Sequence, residues 1–181
     1  MDQPGNDRDD AWAVSRTLQG EREAFAVIVR RYQGPIFRLM LRFGRDENEA
    51  SEMAQEAFVR AFERLGSYDP DRRFFTWLYT LALNLGRDHA RRTARNTEVD
   101  RDVEQIAAGR HGDPAARFEA SRLLETLRRL PSKYGEALAL RYIEDMSLDD
   151  VAETMGLSLS GAKMRVHRAL RMLRERCGEE E

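Results

Sequence analysis

The segment from Ser147 to Arg176 constrains the fold of this chain more than any other stretch. Its first half predicts a short, capped helix. Ser147 can accept a hydrogen bond from the backbone at the start of that helix, and the Asp150 carboxylate can accept one from the Ser147 N–H. Apolar residues then recur at the spacing of one helix face: Leu148, Val151, Ala152 and Met155. Gly156 follows at once, where the helix must end and the chain needs a positive φ.

A second, basic helix is predicted after that turn. Ser158 is a natural N-cap, and the apolar positions behind it form one stripe: Ala162, Val166, Ala169, Leu170 and Leu173. The basic residues of the same segment are Lys163, Arg165, Arg168, Arg171, Arg174 and Arg176, with His167 among them and Glu175 the single acid. Ala152 is small where two crossing helices must approach closely. The pattern predicts a helix-turn-helix, whose second helix enters the DNA major groove; two packed surface helices with a solvated charged face are the plainer alternative.

The distribution of charge supports DNA binding, although the net charge of the 181 residues is only −2. Acidic Asp149, Asp150 and Glu153 precede the turn, and the basic helix follows it. Cys177 is the single cysteine, which excludes an internal disulfide and a cysteine-based zinc site; as a free thiol it could be redox-sensitive, but its role is left open. No apolar run approaches the roughly 18 residues that span a bilayer, so we expect a cytoplasmic protein without membrane insertion.

Helical periodicity continues through the rest of the chain, and no strand pattern is present. The first pattern runs from about residue 10 to 32, is interrupted at Gly34-Pro35 and resumes to near Gly44. Later helices are predicted from Ala50 to Leu65 and from about Phe74 to Arg92. The hydrophobic period disappears from Thr93 to about Arg117, which indicates a linker. Further helices carry Leu123, Leu124, Leu127 and Leu130, and then Ala137, Leu138 and Leu140 to Ile143 after Pro131-Ser132.

Two surfaces in the first half are candidates for binding. The helix from Ala50 to Leu65 has an outward face with one predominant sign of charge: Glu47, Glu49, Glu52, Glu56 and Glu63, with Gln55 and Arg60. That face is either simply solvated or docks a basic protein. The loop at residues 66–73 carries Tyr68, Arg72 and Arg73, which we expect to be exposed and able to stack on bases and hold phosphates. Trp77 and Leu78 are expected in the core.

Three stretches of the sequence resemble one family. They are DENEASEMAQEAFVRAFERL (46–65), RRFFTWLYTLALNLGRDHARR (72–92) and LRRLPSKYGEALALRYIEDMSLDDVAETMGLSLSGAKMRVHRALRML (127–173). In order and spacing the chain resembles an extracytoplasmic-function sigma factor of bacterial RNA polymerase, over about residues 20–95 and 117–175. The resemblance implies an all-α fold of two small helical domains joined by a flexible linker. Its implied parts are a disordered acidic tail (1–10), sigma region 2 (11–95), a linker (96–116) and sigma region 4 (117–177).

The resemblance also implies partners and contact residues. Those implied to dock on the β′ clamp helices of core polymerase are Asp46, Glu49, Glu52, Gln55 and Glu56. Those implied to read and melt the −10 element are Tyr68, Arg72, Arg73, Asn84, Arg87, Asp88, Arg91 and Arg92. Those implied to read the −35 element are Ser160, Lys163, Met164, Arg165, His167, Arg168 and Arg171. The acidic helix at Asp149–Glu153 would face the β flap. Gly161, Ala162 and Met164 depart from common family choices, so the −35 sequence does not carry over.

The expected function is promoter-specific transcription initiation by a factor that is monomeric when free and is held by an anti-sigma factor. We predict no enzymatic activity and no cofactor, because phosphate-binding, metalloprotease and serine-hydrolase motifs and metal-spaced His/Cys sets are absent. One alternative is a dimeric helix-turn-helix regulator that binds duplex DNA without polymerase. Another is a protein-binding adaptor that uses the same helices and binds no DNA.

Overall fold

A computed structural model describes residues 7–96 and 130–178, which belong to two compact units. Every regular element in these two ranges is helical, which confirms the all-α prediction. The first unit holds α1 (Asp7–Leu18), α2 (Phe25–Met40), α3 (Glu47–Glu63) and α4 (Phe74–Asn96), with 3-10 turns at Arg22–Ala24 and Leu65–Ser67. The second holds α5 (Ser132–Leu138), a π-helical turn (Ala139–Ile143), α6 (Leu148–Met155) and α7 (Leu159–Gly178). None of these described helices has the length and apolar character needed to cross a membrane.

The first unit packs its four helices around an aromatic and aliphatic core. Tyr32 of α2 is fully buried, and its ring lies 5.8 Å from that of Phe75 in α4, centroid to centroid. The Tyr32 hydroxyl also donates a hydrogen bond to Asp10, a buried carboxylate of α1 that pairs with Arg31 at 2.5 Å. Because α1 begins at Asp7 and is fixed in this way, the prediction of a disordered tail does not hold for residues 7–10.

The single helix predicted from about residue 10 to 32 is wrong. The chain leaves α1 at Leu18 and turns at Gly20, whose φ is +100°. Only glycine takes that conformation without a steric cost, so the helix cannot continue through it. The 3-10 turn at Arg22–Ala24 then redirects the chain into α2.

The interruption predicted at Gly34-Pro35 is also wrong, because α2 continues through Pro35. A proline inside a helix costs about 3 kcal/mol. Burial of Tyr32, Ile36 and Met40 on either side offsets that cost, since each large apolar side chain contributes about 1.5–3 kcal/mol. Gly34 helps as well, because it lacks the Cβ that would clash with the ring of a following proline.

Helices α3 and α4 follow their predicted patterns closely. Asp46 caps α3 by accepting a hydrogen bond from the Glu49 N–H, and the buried stripe of α3 is Ala50, Met53, Ala54, Ala57, Phe58 and Ala61. Helix α4 continues to Asn96, past its predicted end at Arg92. Gly86 of α4 is buried against Phe43, and a Cβ built there would lie less than 3.0 Å from the Phe43 ring. The glycine in this helix therefore permits a close approach of the 41–44 turn.

The second unit contains the predicted helix-turn-helix. Ser147 and Asp150 form a reciprocal capping box, and Gly156 ends α6 with a φ of +66°. Ser158 accepts a hydrogen bond of 3.1 Å from the Gly161 N–H at the start of α7. Buried Ala152 on α6 and three buried residues of α7, Ala162, Val166 and Ala169, lie where the stripes predict. The remaining stripe residues, Leu170 and Leu173, are half-buried.

Some predictions concern residues that the structure does not describe. They are the tail at residues 1–6, the linker from residue 97 to 116, and the helix with Leu123, Leu124 and Leu127. The side chains of Arg176 and Cys177 also lie outside the description. Leu130, at the end of that predicted helix, is buried, and α5 begins at Ser132 directly after Pro131, as predicted.

Candidate nucleic-acid interface

The predicted −35 residues lie on the exposed side of α7. Burial of Ala162, Val166 and Ala169 fixes the rotation of this helix. At about 100° per residue, the opposite side then carries most of the predicted set. Its exposed members are Ser160, Lys163, Met164, His167, Arg168 and Arg171. Arg165 differs, because it is half-buried at the flank of this face.

The exposed face of α7 combines unpaired positive charge with one apolar side chain. Within residues 7–96 and 130–178, Lys163, Arg165 and Arg168 form no ion pair, whereas Arg171 lies 3.6 Å from Glu175. Such cations are available for DNA phosphates and guanine edges. Met164 is 56% exposed near the middle of the face. An apolar side chain there suits contact with a thymine methyl group.

The predicted residues of α4 also share one face. Asn84, Arg91 and Arg92 are exposed, and Arg87 and Asp88 are half-buried on the side opposite Ala82, Leu85 and the rest of the core stripe. Arg91 donates a hydrogen bond to Asp88, and this bond lowers the pKa of Asp88 against a smaller opposing effect of desolvation. Arg91 on this face therefore already has an anionic neighbour.

The loop before α4 differs from its prediction at one residue. Arg72 and Arg73 are exposed as expected, and Arg72 lies 3.5 Å from Asp69. Tyr68 is not exposed but half-buried: its hydroxyl donates to the Arg72 carbonyl, and its ring packs against Phe74 and Trp77 with centroids 5.2 and 5.5 Å away. The aromatic neighbours hold Tyr68 because they shield its ring from water. Leu78 is fully buried as predicted, whereas Trp77, which was also expected in the core, is only half-buried.

The predicted polymerase-binding residues of α3 divide into two groups. Glu52, Gln55 and Glu56 are exposed on one face, and Glu56 pairs with Arg60. Asp46 is the exposed N-cap. Glu49 is turned inward with a side chain only 15% exposed, and its carboxylate lies 3.1 Å from Nε2 of His89 on α4. Burial alone would raise the pKa of Glu49, but hydrogen bonds from Arg45 and the charges of Arg45 and His89 together lower it.

An apolar residue on the same face was missed by the sequence analysis. Val59 is 55% exposed, one helical turn beyond Gln55. Phe62 beside it is 36% exposed and packs edge-to-face with Phe25, with the ring centroids 5.3 Å apart. The apolar stripe of the segment from Ala50 to Leu65 includes Phe62 and predicts it as buried, which differs from its observed exposure. The sequence signal was present, because Val59 falls outside that stripe on a helix that is otherwise polar there. The outward face of α3 is thus acidic with an apolar centre.

These features define a class: an all-helical, two-unit protein with a helix-turn-helix and further basic and acidic surfaces. The family Sigma-70 region 2 matches residues 28–96, and the family Sigma-70, region 4 matches residues 120–173. The chain belongs to the extracytoplasmic-function sigma factors of bacterial RNA polymerase. It directs promoter-specific transcription initiation as the sigma factor of that enzyme.

Individual relatives support this membership over almost the whole length. The ECF RNA polymerase sigma factor SigW of Bacillus subtilis is 32% identical over 178 residues, covering 90% of this chain and 93% of the relative. The RNA polymerase sigma-H factor of Pseudomonas aeruginosa is 33% identical over 173 residues, covering 88% and 89%. The solved structure of CnrH in complex with the cytosolic domain of CnrY is similar with a TM-score of 0.75 at 28% identity, covering 96% of this chain and 99% of CnrH. A dimeric regulator is not favoured, because the match to region 2 accounts for the first unit.

Proposed function

We propose that three surfaces divide the work of initiation: the outward face of α3 docks core polymerase, the 68–73 loop and the exposed face of α4 engage the −10 element, and α7 reads the −35 element. One observation carries this proposal. Most of the residues in each implied set lie together on a single exposed face of a single helix, with the core stripe opposite. The corresponding functional domains span residues 11–95 and 117–177.

Docking on polymerase uses Glu52, Gln55 and Glu56, with Val59 at the centre. An acidic face with an apolar centre fits a basic helical partner such as the β′ clamp helices, since complementary charge steers association and the apolar contact contributes burial. In the second unit, Asp149 and Glu153 are exposed, whereas Asp150 is buried in the cap of α6. The first two therefore face the β flap, and Asp150 stabilises the helix.

Engagement of the −10 element requires a flipped base, which costs a few kcal/mol of unstacking. Arg72 and Arg73 offset part of that cost through phosphate contacts. The packed aromatic rings of Tyr68, Phe74 and Trp77 lie in the same loop and at the start of α4. Asn84, Arg87 and Arg91 continue the surface along α4. On α7, Lys163 and Arg168 contact phosphates, while Met164 faces the bases.

The wider setting follows from the same assignment. The chain is not an enzyme and needs no cofactor, because polymerase carries the chemistry. It acts in the bacterial cytoplasm, where polymerase is found, and is monomeric when free. CnrH was solved bound to the cytosolic domain of CnrY, and by similarity an anti-sigma factor sequesters this chain.

The test is reconstitution with bacterial core polymerase and a fork-junction promoter library. We expect core binding and sequence-dependent opening. Replacing Glu52→Lys together with Glu56→Lys should abolish core binding, whereas Glu23→Lys, an exposed acid on the 3-10 turn before α2, should not. Failure of the wild-type chain to bind core, together with dimeric binding to duplex DNA by the chain alone, would overturn the proposal.

A further inference from the structure

A polar contact joins the helix assigned to polymerase with the helix assigned to DNA. Oε1 of Glu49 on α3 lies 3.1 Å from Nε2 of His89 on α4, and their side chains are only 15% and 22% exposed. The contact sits where α4 leaves the core and begins its basic, DNA-facing end. It is therefore placed to transmit the position of one helix to the other.

His89 belongs to the core side of α4, although the sequence groups it with the basic residues around it. It follows Leu85 by four residues and Ala82 by seven, so it continues the stripe of buried side chains. Asp88 and Arg91, on either side of it in sequence, point the other way. Holding His89 against α3 therefore fixes the rotation of the helix that presents Asp88 and Arg91 outward. Thr93 offers a second polar neighbour, with Oγ1 3.4 Å from the same Nε2.

Glu49 is itself held in place on α3. Its second oxygen accepts a hydrogen bond of 2.5 Å from the Arg45 backbone N–H, and the Arg45 guanidinium lies 3.2 Å away. Its own N–H donates to the Asp46 cap at 2.8 Å. Both carboxylate oxygens are thus engaged within the unit. A carboxylate already committed in this way is poorly placed to dock another protein.

We propose that Glu49 and His89 are a positioning pair, which holds the DNA-facing end of α4 in register with α3, and that Glu49 acts in promoter opening rather than in polymerase docking. This inference rests on the proposed function of α3 and α4. It replaces the role that family resemblance implies for Glu49. The pair contacts neither DNA nor polymerase, so its effect passes through Arg91, Asn84 and the rest of the α4 face.

The experiment uses the full chain in holoenzyme and separates two quantities: the Kd for core polymerase and the rate of open-complex formation once core is saturated. His89→Ala and Glu49→Gln should each slow opening by about tenfold, within the range measured for coupled neighbours, with the core Kd within about twofold. The double variant should be no slower than either single one. His89→Gln, which can still donate to Glu49, should restore most of the rate.

Glu52→Gln is the matched control, because it removes an exposed acid on the same helix. It should weaken core binding, which is the effect that Glu49→Gln should lack. The inference is overturned if Glu49→Gln behaves like Glu52→Gln, or if His89→Ala opens promoters at the wild-type rate. It is also overturned if His89→Gln is as slow as His89→Ala while circular dichroism shows both folded. Loss of core binding by the wild-type chain is a different result, and it would count against the proposed function itself.

Discussion

The two surfaces that we propose to face DNA, one on α4 with its preceding loop and one on α7, differ in how their cations are neutralised. On α4 and the loop before it, Arg91 donates to Asp88 and Arg72 lies beside Asp69. On α7, Lys163 and Arg168 pair with no acid within the described part of the chain. A paired cation must exchange its carboxylate partner for a phosphate when DNA binds, so its net contribution to the binding free energy is small. An unpaired cation forms a new ion pair with a phosphate and releases counterions, so its contribution is larger. We therefore expect the −35 surface on α7 to contribute most of the electrostatic affinity for DNA, and the −10 surface on α4 to contribute shape complementarity.

The same two helices also differ in how they are held. Helix α4 is fixed by close packing, with Gly86 against Phe43, and by the Glu49–His89 contact. Helix α7 packs against α6, and small residues are buried on both helices: Ala162 and Ala169 on α7, and Ala152 on α6. A precisely fixed position of α4 is consistent with a surface that binds DNA by shape complementarity.

The largest effect is expected at Gly86. A Gly→Ala change inside a helix ordinarily stabilises it by up to about 1 kcal/mol. Here the added Cβ would overlap the Phe43 ring. We therefore expect Gly86→Ala to lower the free energy of unfolding by about 1–3 kcal/mol, as for other overpacked sites. Both tryptophans, Trp12 and Trp77, lie in the first unit. Urea denaturation followed by tryptophan fluorescence thus measures the unit concerned.

Two glycines serve as controls for that measurement. Gly66→Ala adds a methyl group where nothing lies within 4 Å, and it should leave the transition almost unchanged. Gly161→Ala changes α7 in the other unit and should not move the fluorescence transition at all. A stabilised Gly86→Ala variant would show that Phe43 moves aside freely, and the contrast in packing would then be lost.

A second prediction concerns the dependence of stability on pH at Glu49. The folded pKa of this carboxyl is lowered, so its contribution is fully present above the unfolded value of about 4.3 and is lost as the pH falls through the folded value. Relative to Glu49→Gln, the wild type should be more stable by about 1.5 kcal/mol near pH 7, typical of a hydrogen bond to a charged group. The difference should shrink as the pH falls below about 4.3 and vanish once the pH is below the lowered folded pKa.

The comparison is cleanest in a His89→Gln background, where Glu49 is the only ionisable member of the pair. Urea midpoints by tryptophan fluorescence again provide the measurement. A difference that is the same near pH 7 and near pH 3 would mean that the carboxylate charge contributes nothing to the α3–α4 contact.

How far the sequence predicted these features depends on how local their causes are. The helix-turn-helix was predicted in detail, because its cap at Ser147, its turn at Gly156 and its stripes are set by neighbours in sequence. The continuation of α2 through Pro35 was missed, because burial of side chains by other helices overrides a local helix breaker. The helix break at Gly20 has a local cause, the glycine itself, but the apolar periodicity on both sides of it indicated one continuous helix.

The candidate site shows the same division. Which residues of α7 are exposed followed directly from its apolar stripe. The inward position of Glu49 could not be predicted in this way. Its partner His89 is forty residues away in sequence, and neither segment contains a local pattern that indicates the contact. Tyr68 was expected in solvent for the same reason: the packing of its ring on Phe74 and Trp77 depends on how the loop folds back.

A third prediction measures the unpaired cations of α7. Lys163→Ala and Arg168→Ala should each reduce the slope of log affinity against log salt by about 0.9, the value for one phosphate contact on duplex DNA. The measurement is holoenzyme binding to a duplex −35 fragment that the wild type selects from a random library. Glu175→Gln, which frees Arg171, should steepen the slope instead. Unchanged slopes for both alanine variants would show that these side chains do not meet phosphates.

The smallest effect is expected at Asp88, and it tests the comparison most directly. If pairing is what limits the electrostatic contribution of α4, then Asp88→Asn should free Arg91 and make this surface resemble α7. On a fork-junction probe with a single-stranded −10 segment, the salt slope of holoenzyme binding should steepen by at most about 0.7, the value for one phosphate on a single strand. Affinity at low salt should rise slightly, and Asp71→Asn, an exposed acid of the preceding loop, should change the slope less.

If Asp88→Asn instead weakens binding equally at every salt concentration, Asp88 itself contacts the bases. In that case the pairing with Arg91 holds a reading residue in place, and the two surfaces differ in which residues read DNA rather than in how their charge is neutralised.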